Sequence, residues 1–144
     1  MYFEDYKIGK VYEIKKARVP NDEMIEFARK YDPRDFHLDD EASQNTRFKK
    51  IIASGFFTLS FAWSKWVKTG KDADGMIAGV GLGDLRWKNP VYGGDFIKSK
   101  LEVLGKEKSQ EKNQGIVTLS YKSVNQDGKE VLYFKAKVLV KTRK

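Results

Sequence analysis

From Asp95 onward the chain alternates. Ile97, Ser99, Leu101 and Val103 fall on one side of an extended backbone, and Lys98, Lys100 and Glu102 fall on the other. Phe134, Ala136, Val138 and Val140 alternate in the same way with Lys135, Lys137 and Lys141. Successive side chains of a strand point to opposite faces, so period two with one charged side predicts an antiparallel sheet with one wet face. Four such segments are predicted, Met76 to Lys88, Asp95 to Lys106, Gly115 to Val124 and Lys129 to Lys141, with a further strand from Val11 to Val19. Asn125-Gln126-Asp127-Gly128 makes a hairpin of the last two, because Asp-Gly supplies the positive φ that a tight turn demands. Pro90 to Gly94 turns the chain ahead of the segment at Asp95.

Between the first strand and the other four the pattern is helical. Residues Tyr2 to Gly9 read as a loop, Pro20 stops the first strand, and Asn21 or Asp22 can cap a helix whose apolar stripe is Met24, Ile25, Phe27 and Ala28. Pro33 ends that helix after Tyr31 by disfavouring helical geometry at Asp32. The next stretch, with His37, reads as a loop, and a short polar helix is predicted from Asp39 to Thr46, its acids in the first turn. Ser54 to Lys68 is different in kind. It carries Phe56, Phe57, Leu59, Phe61, Ala62, Trp63, Trp66 and Val67, apolar on nearly every side, and predicts a helix of about 22 Å buried over most of its surface. A long buried helix with an antiparallel sheet is an α+β arrangement in which the sheet curls around the helix.

Composition agrees with one folded domain. The chain has 144 residues, 40% of them hydrophobic and 13% aromatic, enough to bury a core without disulfides or metals. It contains no cysteine, so thiol chemistry and disulfides are excluded. No apolar run reaches the roughly 20 residues that span a bilayer, and Glu4 and Asp5 stand where a signal peptide carries base, so a cytoplasmic protein away from membranes is expected. The 28 basic and 20 acidic residues leave a net charge of +8, which raises the question of an anionic partner. Nucleic acid is one such class, but no recognition motif for it is present and none is expected to bind. Gly79-Val80-Gly81-Leu82-Gly83 does not fit the G-x-G-x-x-G spacing and leads into a strand, so dinucleotide binding is not expected there either. These glycines read instead as strand positions where backbone approaches the central helix or a ligand.

The candidate chemistry lies around Asp32-Pro33-Arg34-Asp35-Phe36-His37, which holds the only histidine of the chain. A carboxylate and an imidazole so placed suit proton transfer, although the same residues also fit a turn-capping aspartate and an incidental histidine. One histidine without cysteine leaves only carboxylates as further metal ligands, and no metal is expected.

Asp32-Pro33-Arg34-Asp35-Phe36-His37-Leu38-Asp39, Ile52-Ala53-Ser54-Gly55 and Gly83-Asp84-Leu85-Arg86-Trp87, followed by Pro90-Val91 and Gly94-Asp95, together resemble the MaoC-like, or (R)-specific enoyl-CoA hydratase, family of hot-dog proteins. Tyr2-Phe3-Glu4-Asp5-Tyr6 with Gly9 resembles the usual opening of that family. The resemblance covers almost the whole chain. It implies a single hot-dog domain, a sheet of about five strands around the helix, and a hydro-lyase that adds water to a trans-2-enoyl-CoA or removes it from a 3-hydroxyacyl-CoA. Asp32 and His37 match the family's catalytic pair, and Gly55 matches the glycine whose backbone N–H holds the thioester oxygen. Phe36, Ser54 and Phe56 are then substrate-binding candidates, and Arg47, Lys49, Lys50, Arg86 and Lys88 are candidates for the coenzyme A phosphates. Coenzyme A would belong to the substrate, with no separate cofactor, and a homodimer with sheets paired edge to edge is implied. The chain departs from many members at Arg34-Asp35, where they carry Asn-Pro, and at Ser54, where they carry histidine. Two other classes stay open, a hot-dog thioesterase and a non-catalytic acyl-CoA-binding subunit. The stretch Ser54 to Lys68 has no Asp or Glu, whereas several hot-dog thioesterases carry a carboxylate on the central helix, and this favours the hydratase.

Overall fold

The computed structural model describes residues 1–144. Its strands are β1 (Val11–Arg18), β2 (Met76–Arg86), β3 (Phe96–Lys108), β4 (Gln114–Val124) and β5 (Glu130–Lys141). They form one antiparallel sheet in the order β1-β3-β4-β5-β2, with β1 and β2 at its edges. The alternation seen in the sequence sets the faces. Ile97, Ser99, Leu101 and Val103 of β3 are buried, as are Phe134, Ala136, Val138 and Val140 of β5, while Lys98, Lys100, Lys137 and Lys141 are exposed.

Four helices lie between β1 and β2: α1 (Asn21–Tyr31), α2 (Asp35–Leu38), α3 (Asp40–Gln44) and α4 (Gly55–Val67). Helix α1 begins one residue earlier than its side chains indicate, with Pro20 at the cap position and Asp22 and Glu23 in the first turn, where the helix dipole favours acids. The polar helix predicted from Asp39 is α3, and Asp39 itself is its cap, its carboxylate accepting from Glu41 N–H at 3.1 Å. Two segments read as loops are short helices. Phe3–Asp5 forms a single 3-10 turn, and α2 converts the stretch around His37 into one turn of helix with Asp35 in its first turn. Neither is long enough to leave a periodic signal.

Helix α4 packs on the apolar face of the sheet, but its burial corrects the expectation of a helix covered on most sides. Phe57, Thr58, Ala62 and Trp66 are buried, while Phe56 and Val67 are 57% and 49% exposed. One five-stranded sheet covers only one stripe of the helix. That stripe is anchored by aromatic contacts: Trp63 meets the edges of Tyr121 and Phe134 at 5.6 and 5.7 Å, and Trp66 lies 5.4 Å from Tyr12. The Tyr121 hydroxyl, buried beneath α4, donates to the Ala62 carbonyl at 2.6 Å. Strand β2 carries a second correction. A side chain at Gly79 or Gly83 would meet nothing within 4 Å, and Gly81 faces only Lys137 Cβ at 3.8 Å. These glycines therefore do not mark a close approach to the central helix. They belong to an uncovered edge strand whose register shifts at three places and whose Ile77, Val80 and Leu82 are exposed.

Burial pushes the Tyr121 phenol from its ordinary value of 10.0 up to about 12, and it raises Tyr6 as well. In that interval the unfolded chain sheds protons that the folded chain keeps, so stability falls as pH rises. We expect Tyr121→Phe to cost about 1 kcal/mol at neutral pH through loss of its hydrogen bond. The same substitution should flatten the alkaline fall of unfolding free energy, measured by urea denaturation across that pH range.

Candidate active site

The site is assembled where α1 ends, α2 turns and α4 begins. Asp32 follows the last residue of α1, its N–H still bonded to the Ala28 carbonyl at 2.9 Å, and Pro33 sends the chain out of the helix. Arg34 N–H returns to the Asp32 carbonyl at 2.8 Å, and His37 N–H bonds the Arg34 carbonyl at 2.9 Å. The segment leading into α4 is held from the other side. Ile52 bridges Tyr92, and Ala53 N–H donates to the Val91 carbonyl at 2.8 Å.

Two hydrogen bonds join these segments. His37, only 6% exposed, contacts the Ile52 carbonyl through Nδ1 at 2.6 Å. A carbonyl oxygen can only accept, so Nδ1 carries the proton and donates. In the neutral ring Nε2 then offers its lone pair, and it faces Asp32 Oδ2 at 3.4 Å. Ser54 donates its hydroxyl to the same Oδ2 at 2.7 Å, while Arg34 Nε lies 3.2 Å from Oδ1. The carboxylate is thus gripped on both oxygens, with its side chain 18% exposed.

Ser54 stands at the N-cap of α4, but with its hydroxyl turned to Asp32 it makes no cap hydrogen bond. The first amide groups of α4 are left pointing outward, with the positive end of the helix dipole behind them. They face a cleft of about 370 Å³ whose walls include Asp32, His37, Gly55, Phe56, Trp87 and Val91.

The structure brings Asp32, His37, Gly55 and Phe56 into this one cleft, with Arg47 and Lys88 also on its wall. Ser54 does not reach it. The side chain is wholly buried and spent on Asp32, which makes it a support for the carboxylate rather than a contact for ligand. Phe36 likewise does not line the cleft, and its ring lies against His37 at 4.4 Å. The remaining phosphate candidates lie elsewhere. Lys49 donates to the Gln44 carbonyl, Lys50 sits over the Tyr92 ring in a separate polar depression, and Arg86 is held by Glu130 at 3.4 Å and by the Tyr133 ring.

Trp87 joins the site without being among the residues the sequence singles out for it. A side chain at Gly55 would lie 2.5 Å from Trp87 Cε2, so the glycine at the start of α4 makes room for an indole. The same indole meets Phe56 edge-on at 5.8 Å. No local signal announces this contact, because it spans the whole of α4 and β2. Arg34 was the legible omission, since it lies two residues from Asp32 in the sequence.

The model of the MaoC like domain matches residues 4–125. The chain belongs to this family. Its fold is the hot-dog fold. The MaoC-like dehydratase from Rhodospirillum rubrum is 33% identical and superposes with a TM-score of 0.90, covering 100% of this chain and 99% of its own. The R-hydratase PhaJ1 from Pseudomonas aeruginosa is 26% identical at a TM-score of 0.76, covering 99% and 86%. The mesaconyl-CoA hydratase of Cereibacter sphaeroides is 26% identical over 99% of this chain, which spans 41% of that longer protein. Family membership places the chain among hydratases and dehydratases in kind.

Within this MaoC-like domain, Gly55→Ala is expected to displace the Trp87 indole and cost about 1–3 kcal/mol, the usual scale of overpacking. In a Trp87→Ala background the same substitution should cost far less. A double-mutant cycle from urea denaturation reads this difference, and additive losses would refute the contact.

Proposed function

We propose that the protein is an enoyl-CoA hydratase, adding water to a trans-2-enoyl-CoA or removing it from the 3-hydroxyacyl-CoA. The observation that carries this reading is the orientation of His37: Nδ1 is locked on the Ile52 carbonyl, which leaves Nε2 facing Asp32. A water held between Asp32 and Nε2 would sit at the floor of the cleft. Its oxygen bonds the β-carbon while the π pair shifts toward the α-carbon and the thioester oxygen. The proton lost by the water passes through the pair to the α-carbon, so that one water is added and nothing else is consumed. The developing charge on the thioester oxygen is received by the amides that open α4, at Gly55, which the missing Ser54 cap leaves free. Microscopic reversibility gives dehydration from the same groups. Coenzyme A enters as part of the substrate, and the reaction calls for no metal or separate cofactor. Arg47 and Lys88, on the wall of the cleft, are the candidates for its phosphates.

A hot-dog thioesterase is less well supported, because α4 offers no carboxylate and Asp32 is the only acid on the cleft wall. The edge strand β2, with Ile77, Val80 and Leu82 exposed, supports a homodimer in which two such edges pair and cover the bare side of α4.

Asp32→Asn and His37→Ala are each expected to lower turnover by about 10² to 10⁴ while leaving the circular dichroism spectrum unchanged. Loss of enoyl absorbance without release of free thiol would support hydration over hydrolysis. Unchanged kinetics in both variants would refute the mechanism.

A further inference from the structure

Three cations, Arg34, Arg47 and Lys88, line the cleft, against the single carboxylate of Asp32. Arg34 is the one tied directly to the reacting pair. Its backbone is fixed at both ends, N–H to the Asp32 carbonyl at 2.8 Å and carbonyl to the His37 N–H at 2.9 Å. Its side chain spends only Nε on Asp32 Oδ1, at 3.2 Å, and is otherwise 68% exposed. A guanidinium carries five N–H donors in a planar fork, so most of its capacity remains open to the cleft.

These positions limit what Arg34 can bind. In a coenzyme A thioester the pantetheine arm separates the reacting carbons from the nearest phosphate. A cation one carboxylate's width from the proton-transfer pair lies at the acyl end of such a ligand, out of reach of the phosphates. If the pair with Asp32 were its whole purpose, one N–H would do. The open face of the fork matches a planar carboxylate in two parallel hydrogen bonds.

Building on the hydratase reading, we propose that Arg34 selects acyl groups that carry a second carboxylate close to the double bond, so that short dicarboxylic enoyl-CoA thioesters are the preferred substrate class. Arg34 is a specificity-determining residue in this assignment. It anchors the far end of the acyl group while Gly55 holds the thioester oxygen.

The test uses two thioesters of equal length, trans-2-butenoyl-CoA and trans-3-carboxyacryloyl-CoA, which differ by a methyl against a carboxylate. The wild-type protein should show the higher kcat/KM for the carboxylated thioester. In Arg34→Gln the ratio of the two kcat/KM values should fall by about 10- to 100-fold, the worth of a charge-assisted hydrogen bond, whatever loss the two substrates share. Arg34→Lys, which keeps the charge without the fork, should restore part of the ratio. A wild-type protein that uses the butenoyl thioester equally well or better would overturn the assignment. An equal loss for both substrates in Arg34→Gln would do the same, leaving Arg34 as a support for Asp32 only. If butenoyl-CoA is hydrated in an Asp32-dependent manner without any preference, this assignment alone fails. If neither thioester is hydrated, the hydratase reading fails with it.

Discussion

A single carboxylate constrains the site. Asp32 is mostly withdrawn from water, and a charge in that position costs free energy unless its oxygens find donors. It finds them on two sides: Arg34 beyond Pro33 reaches Oδ1 and Ser54 at the start of α4 donates to Oδ2, which His37 of α2 also faces through its unprotonated Nε2. Each of these residues belongs to a part of the chain that would otherwise be free to slide against the others. The serine is diverted from the task that its position assigns. An N-cap hydroxyl is worth about 1 kcal/mol to its helix, and here that stabilisation is given up so that the amides of α4 stay open toward the cleft.

The sheet holds this arrangement from beneath. Trp63, Tyr121 and Phe134 interlock under α4, and the Tyr121 hydroxyl is bonded to a carbonyl in the middle of the helix. The helix therefore cannot rotate about its own axis without breaking a buried hydrogen bond. Its N-terminus is positioned by a different contact, the Trp87 indole lying across Gly55. Because Trp87 directly follows β2, the edge of the sheet and the mouth of the cleft are parts of one structure. Whatever covers β2 also bears on the wall of the site.

Much of this was legible in the sequence. Alternation in β3 and β5 identified the buried face, since strand geometry leaves a side chain no other choice. Pro33 ended α1 and so delivered Asp32 to a turn, and the apolar run after Ser54 announced α4. Helix α2 leaves no signal because one turn has no periodicity, and the glycines of β2, which do not pack against the central helix, leave an ambiguous one, since an open edge and a close packing both call for glycine. Helix α4 is less covered than its composition predicts, for a related reason. Apolar residues on every side of a helix show that it seeks partners, but not that one chain supplies them all.

By itself, then, the sequence determined the elements, their faces and the presence of an acid and an imidazole within one turn-rich stretch, because these follow from local geometry and from residue type. Only the tertiary structure decided which nitrogen of His37 is free, that Ser54 supports Asp32 instead of touching ligand, that Trp87 fills the space above Gly55, and which of five cations reach the cleft. Each of those is a contact between segments distant in the chain. Sequence spacing does not encode such contacts, which are set by how the packed sheet and helix bring those segments together.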